Sequence, residues 1–400
     1  MTINIDRLMN NLYKLGEIGY IEGKGANRLA YSEAFLEGRD YVKTLMEDIG
    51  MVTEIDAVGN LFGTLPSCTD DKNNKIIAMG SHIDTVPDGG IYDGSLGVIT
   101  AIEAVQCLME EGYKNQHPIQ IIAFNEEEGN VVGGTFGSKA FAGCPFEDSM
   151  RESMAVHNIT EEDFNSCKRN SDDYLAYLEY HIEQGGILES KNISVGIVEG
   201  IFGIQRYRTI IKGASNHAGS TPMYLRNDAL EKTSHLITDV MNTVRSMSDT
   251  MVCTIGTLKV HPGAVNVIPG EVEIIIELRD KDMNDMYKLI DIIRERWKDK
   301  GVEMERFILQ PETPCDEKLK GLLEESTKEL GIDSMRMYSG AGHDVINTAM
   351  IIPSAILFIP SKDGLSHHMN EYSSKEDILT GAEILLKTFK KVDRGDFNED

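Results

Sequence analysis

The stretch from Lys75 to Met109 leaves a chain like this few choices of fold. Lys75-Ile-Ile-Ala-Met79 is a short apolar run that reads as a buried strand. From Leu96 to Met109, Val98, Ile99, Ile102, Val105, Leu108 and Met109 recur at helical spacing, and the run stops at Gly112. Between them lies Gly80-Ser-His82-Ile-Asp84-Thr-Val-Pro-Asp-Gly-Gly-Ile-Tyr-Asp93-Gly, which is polar and rich in glycine. The polar residues therefore sit between the carboxyl end of a strand and the start of a helix, where open α/β sheets hold their ligands. His82 offers an imidazole nitrogen and Asp93 two oxygens, donors that suit a borderline cation such as zinc. Asp84, two residues from His82, is placed to orient that imidazole. A surface turn uses the same residue types, so the loop by itself leaves both readings open.

The rest of the chain repeats the pattern. Ile5 to Leu15 and Ser32 to Ile49 read as helices, and Val52 to Ala57 and Leu61 to Leu65 as strands around the Gly59-Asn60 turn. Ile119-Gln-Ile-Ile-Ala-Phe124 is a second buried run, ending at Asn125-Glu126-Glu127-Glu128-Gly129. A run of glutamates is ordinarily a solvated face. Here apolar and glycine-rich sequence flanks it, and one glutamate can ligate a cation while its neighbour takes a proton from water. Strand and helix alternate, which predicts a mostly parallel mixed sheet with helices on both faces. Residues 147–173 read as short surface helices, and Tyr174 to Tyr180 leads into His181-Ile-Glu183-Gln184-Gly185.

From about Gln205 strands and helices come in the order β-α-β-β-α-β, the ferredoxin-like arrangement. Leu319 to Leu330, Ser354 to Ile359 and Ile378 to Phe389 then return to helix, buried strand and helix, before a charged tail after Lys390. The expected organisation is a discontinuous catalytic domain, 1–204 with 321–400, carrying an inserted α+β lid or dimerisation domain, 205–320. Four hundred residues are too many for one ordinary core, which agrees with two domains.

Composition limits the partners. Sixty-five acidic residues against 39 basic ones, a net charge of −26, make a surface that repels phosphate backbones and anionic membranes. No stretch reaches about 20 apolar residues, and Met1 to Lys14 has no hydrophobic core of a secretory signal. Cys68, Cys107, Cys144, Cys167, Cys253 and Cys315 form no Cys-x-x-Cys pair and read as reduced thiols, so a cytoplasmic location is expected.

Nine segments, in order, carry a resemblance: Gly80-Ser-His-Ile-Asp-Thr-Val, Gly89-Gly-Ile-Tyr-Asp-Gly, Asn125-Glu-Glu-Glu-Gly, His181-Ile-Glu-Gln-Gly, Asn216-His-Ala-Gly-Ser-Thr-Pro-Met223, Asn266-Val-Ile-Pro-Gly, Leu278-Arg-Asp280, Ser339-Gly-Ala-Gly-His-Asp344 and Gly364-Leu-Ser-His367. With them the chain resembles the dinuclear metal-dependent amidohydrolases related to aminoacylases and carboxypeptidases. Within these it is most similar to the N-carbamoyl-L-amino-acid hydrolase and allantoate amidohydrolase branch. The resemblance implies two divalent cations per subunit (zinc, manganese, cobalt or nickel) on His82, Asp93, Glu128, His181 and His367, with Asp93 between them. It implies Glu127 as general base, on the register that ends the glutamate pair at Gly129. It implies substrate contacts at Gln184, His217, Asn266 and Arg279, and puts His343 near the site without making it a ligand. Arg279 suits a substrate carboxylate, and His217 and Asn266 suit a developing oxyanion.

The same resemblance implies a homodimer in which His217 crosses to the partner's site. The implied activity is hydrolysis of a linear ureido or amide C–N bond of an N-carbamoyl-L-amino acid. Allantoate hydrolysis is the alternative, then an aminoacylase or dipeptidase. A non-catalytic protein that binds amino-acid derivatives is disfavoured by the intact ligand set and Glu127. One departure stands out: Asn130-Val131-Val132 replaces the Ser-Arg-Phe that many members have there.

Overall fold

The computed structural model describes residues 3–69 and 74–397. It divides into two compact units, one of Met1–Glu199 with Pro314–Asp400 and one of Gly200–Thr313. The divisions fall at 199/200 and 313/314, several residues earlier than 204/205 and 320/321. Residues 315–319 belong to the first unit because Cys315 N–H donates to the Glu199 carbonyl (2.9 Å), Asp316 N–H to that of Ser354 (2.9 Å), and Leu319 is buried in the first core. At the other boundary Gly203 already pairs with Asp280 in the second unit's sheet.

The first unit is built on a mixed sheet. Its centre runs Ser354–Ile359, Tyr174–Ile182, Ile76–His82, Ile119–Phe124, with every neighbouring pair parallel. This parallel centre is flanked by antiparallel pairs, so the sheet is mixed, as expected. Leu61–Leu65 pairs antiparallel with Ile119–Phe124 and with Val52–Ile55, and Val195–Ile201 pairs antiparallel with Ser354–Ile359. The turn through Gly59 explains the pairing of Val52–Ile55 with Leu61–Leu65, since a two-strand hairpin must be antiparallel. Alternate residues of the central strands point to opposite faces. Ile77, Met79, Ile121, Leu178 and Leu357 join one core with helices Ile5–Glu17, Glu33–Asp48, Ser95–Glu110, Glu317–Leu330 and Lys375–Asp393. On the other face Phe141 of helix Phe136–Ala142 meets Phe62, Phe124 and Tyr174.

The closing helix does not give way to a tail after Lys390. It continues to Asp393, whose buried carboxylate accepts the N–H groups of Gln116 (3.0 Å) and His117 (2.8 Å) and the Tyr113 hydroxyl (2.9 Å).

The second unit is a four-stranded antiparallel sheet ordered Val252–His261, Glu271–Asp280, Gly203–Lys212, Val302–Gln310. Helices Ala229–Met247 and Met283–Trp297 follow the first and third strands in chain order, which completes the ferredoxin-like connectivity. Its core joins Tyr207, Ile211, Val272, Ile274, Ile276 and Leu278 to Leu236, Val240, Leu289 and Ile293. No helix among the described residues is long and apolar enough to cross a membrane.

A candidate metal centre at the carboxyl edge of the sheet

The four parallel strands deliver their polar residues to one edge. His82 is the last residue of Ile76–His82, and His181 the penultimate residue of Tyr174–Ile182. Glu127 and Glu128 follow Ile119–Phe124, and His367 lies beyond Ser354–Ile359. Asp93 returns to this edge one residue before Gly94, the N-cap of helix Ser95–Glu110. Gly94 has φ +61, and a Cβ there would lie 2.4 Å from the His82 ring, so the loop closes only with glycine.

Glu126, Gln184 and His367 also take left-handed φ values, +59, +57 and +53. Such strain gathers where a site is held in shape by its surroundings. For Glu126 the holding contacts are visible: its Oε1 accepts the N–H groups of Val131 (2.6 Å), Val132 (2.6 Å) and Gly133 (3.2 Å), folding the loop that carries Glu127 and Glu128.

Asp84 organises both sides. Its carboxylate accepts Glu127 N–H (3.2 Å) and Glu128 N–H (3.1 Å). Its main-chain carbonyl lies 3.1 Å from His82 Nδ1, with the carboxylate at 3.6 Å. Residue 84 thus turns His82 so that Nε2 faces Asp93 Oδ1 at 3.5 Å and Glu127 Oε2 at 3.8 Å.

Two donor groups share Asp93. His82, Asp93 and His181 form one, and Asp93, Glu128 and His367 the other, each with ligand atoms within 4.8 Å of one another. His181 Nε2 is 3.1 Å from Asp93 Oδ1, while His367 Nε2 is 3.3 Å from Asp93 Oδ2 and 3.2 Å from Glu128 Oε2. Gln184 Nε2 donates to Asp93 Oδ2 at 2.7 Å. Asp93 Oδ1 and Glu128 Oε1 are buried and have no hydrogen-bond partner among the described residues. Orphaned carboxylate oxygens beside convergent imidazoles fit a cation, and nitrogen with carboxylate donors fits a divalent transition metal.

Electrostatics point the same way. Burial opposes charge on His82, yet Asp84 and Asp93 outweigh it and hold the ring well above its usual value. Asp93 and Glu128 raise His367 to about 10. Burial pushes Glu127 well above the carboxylate range, with His82 opposing and Asp344 and Glu128 adding to it.

A third grouping, Glu179, His181 and His343, reuses a committed ring. His181 Nε2 faces Asp93 and its Nδ1 meets the Ile182 carbonyl at 2.8 Å. His343 is fully buried, 4.5 Å edge-to-face from the His181 ring, with Nε2 3.0 Å from Ser339 Oγ; burial and His181 lower its pKa well below the usual value.

His217, Asn266 and Arg279 lie in the second unit. His217 bridges to Val267, and Ala218 N–H donates to the Asn266 carbonyl (2.9 Å), so His217 and Asn266 share one short ladder. His217 Nδ1 accepts N–H groups from Gly219 (3.1 Å) and Ser220 (3.2 Å), which puts the ring proton on Nε2. Arg279 Nε donates to Glu277 at 2.8 Å.

Sequence reasoning missed Glu126, Arg28, Ser366 and Glu371. Arg28 is fully buried and donates to the carbonyls of Ile83 (2.7 Å), Leu15 (2.8 Å) and Ile18 (3.1 Å) and to Ser95 Oγ (2.8 Å), bracing the loop between His82 and Asp84. Glu126 was visible as the unassigned member of the triple glutamate, whereas the other three carry no local signal.

An α/β unit that gathers imidazoles, carboxylates and a largely buried glutamate at one sheet edge is the framework of a metal-dependent hydrolase. A family model described as peptidase family M20/M25/M40 matches residues 78–391, and the chain belongs to that family, whose members are typically metal-dependent. It is 35% identical to an N-carbamoyl-L-amino acid amidohydrolase of Geobacillus stearothermophilus, over 98% of this chain and 99% of that one. It is 33% identical to an allantoate amidohydrolase of Bacillus subtilis, over 94% and 95%. A solved hydantoinase/carbamoylase-family amidase from Burkholderia multivorans superposes with TM-score 0.87 at 29% identity, covering 97% of both chains.

Proposed function

We propose that this protein hydrolyses the linear ureido C–N bond of an N-carbamoyl-L-amino acid. It is a hydrolase of carbon–nitrogen bonds other than peptide bonds, as its amidohydrolase relatives are. The observation that carries the reading is Asp93, with His82 and His181 on one side and Glu128 and His367 on the other, next to Glu127, whose side chain is 10% exposed. The first side would hold one divalent cation and the second another, of zinc, manganese, cobalt or nickel by donor type. Cations there supply Lewis acidity, which acidifies water and polarises a carbonyl.

Glu127 takes the proton of the attacking water and returns it to the leaving nitrogen as the C–N bond breaks. Its place beside His82, with Oε2 3.8 Å from the ring, suits both transfers. His217 Nε2–H and Asn266 stabilise the developing oxyanion, Arg279 pairs with the substrate carboxylate, and Gln184 orients Asp93 and substrate. The second unit pairs with its twin and presents His217 to the partner's site. Met223, Tyr224 and Leu225, 69%, 85% and 65% exposed just after the His217 loop, support such an interface.

Chelation followed by dialysis should abolish turnover, and manganese, cobalt, nickel or zinc should restore it. On a panel of N-carbamoyl-L-amino acids, allantoate and N-acetyl amino acids, the first should give the highest kcat/KM. A preference for allantoate would move the substrate assignment; full turnover after verified metal removal would overturn the mechanism.

A further inference from the structure

We propose that Glu371 is a positioning residue that fixes both the backbone and the carboxylate of Asp93 and so sets the geometry of the cation pair. The inference rests on the reading of Asp93 and His367 as cation-holding. Glu371 is 5% exposed, and its Oε1 accepts the N–H groups of Tyr92 and Asp93, each at 3.0 Å. Its Oε2 faces the Ser366 hydroxyl at 3.0 Å, and that hydroxyl is also 3.0 Å from Asp93 Oδ2. Glu371 thereby holds the Asp93 peptide directly, and the Ser366 hydroxyl sits between the two carboxylates, its one proton serving either of them.

The grip has a direction. Ser366 and Gln184 both reach Asp93 Oδ2, leaving Oδ1 turned toward His82 and His181. It also joins two loops: Ser366 adjoins His367, and Glu371 N–H donates to the His368 carbonyl (2.9 Å), so the His367 segment is tied to the Asp93 loop. Gly90 keeps the space open, because a Cβ there would lie 2.3 Å from Glu371 Oε1 and 2.5 Å from its Cβ and Cδ. Groups that orient a ligating carboxylate commonly matter to metal affinity by about 10- to 100-fold.

The test titrates metal-free protein with Co²⁺, reading stoichiometry by equilibrium dialysis and geometry by the visible cobalt spectrum, with thermal unfolding of the metal-free protein alongside. Glu371→Ala should weaken at least one cobalt site about 10- to 100-fold and alter the spectrum. Glu371→Gln, which keeps the Oε1 acceptor, should fall between it and the parent. Gly90→Ala should reproduce the weakening with Glu371 still present. Ser366→Ala added to Glu371→Ala should cost less than the two single effects summed, since both act on one carboxylate.

Cobalt affinity and spectrum unchanged in Glu371→Ala and Gly90→Ala overturn the proposal. So do losses that only follow a lowered unfolding temperature and add independently. If Glu371→Ala does not fold, Gly90→Ala and Ser366→Ala decide the matter alone. A parent protein that binds no cobalt overturns the reading of the centre itself, which is a different failure.

Discussion

Glu127 and Glu128 are chain neighbours with different surroundings. Glu127 Oε2 approaches His82 at 3.8 Å, whereas Glu128 Oε2 lies 3.2 Å from His367. Glu127→Gln should therefore lower kcat by about 10²–10⁴ with metal content near that of the parent. Glu128→Gln should instead lower metal content, and elemental analysis beside steady-state kinetics separates the two; the reverse pattern would shift the register by one residue. His367 gives a pH dependence. Asp93 and Glu128 raise it from 6.5 to about 10, so in metal-free protein its stabilisation is complete below about pH 6.5 and is lost as pH rises through 10. The ring is half exposed, which keeps that contribution small. A cation must displace this proton, so uptake at pH 8 should release protons and apparent affinity should fall as pH drops. Calorimetry in buffers of different ionisation heat reads the release directly.

At the scale of elements, the loop after Ile119–Phe124 is held by a side chain of its own. Glu126→Ala leaves three buried or half-buried N–H groups without their acceptor. It should cost about 1–3 kcal/mol in denaturant unfolding, and activity should fall with it as Glu127 is displaced. Helix Lys375–Asp393 offers a comparison remote from the chemistry. Asp393→Ala removes the acceptor of Gln116 and His117 and should cost about 1–3 kcal/mol while kcat stays unchanged. Loss of kcat in proportion to stability in that variant would mean that general loosening, rather than local placement, controls the site.

For the whole molecule, the proposed crossing of His217 has a quantitative signature. Homodimers of Glu127→Gln and of His217→Ala should each be nearly inactive. Random exchange of subunits makes about half the dimers mixed, and one site in each mixed dimer is intact. Roughly a quarter of all sites should then recover, measured as turnover after mass spectrometry confirms exchange. No recovery after confirmed exchange would mean that His217 serves its own subunit or none.

Much of this protein could be read locally. The apolar runs at Ile76, Ile119, Tyr174 and Ser354 became the central strands, because strand period and flanking turn residues act over a few positions. Since those strands are parallel, their polar ends share one edge, and His82, Asp93, Glu127, Glu128, His181, Gln184 and His367 meet there. Tertiary structure decided what depends on residues far apart in the chain. It set the antiparallel flanks of the sheet, the extension of the last helix to Asp393, and the divisions at 199/200 and 313/314. It also brought Arg28 beneath the His82 loop and Glu371 onto Asp93, 278 residues away. No periodicity announces a lone buried arginine or glutamate. Its partners are backbone groups, which every residue type carries, so only the folded chain shows which of them it meets.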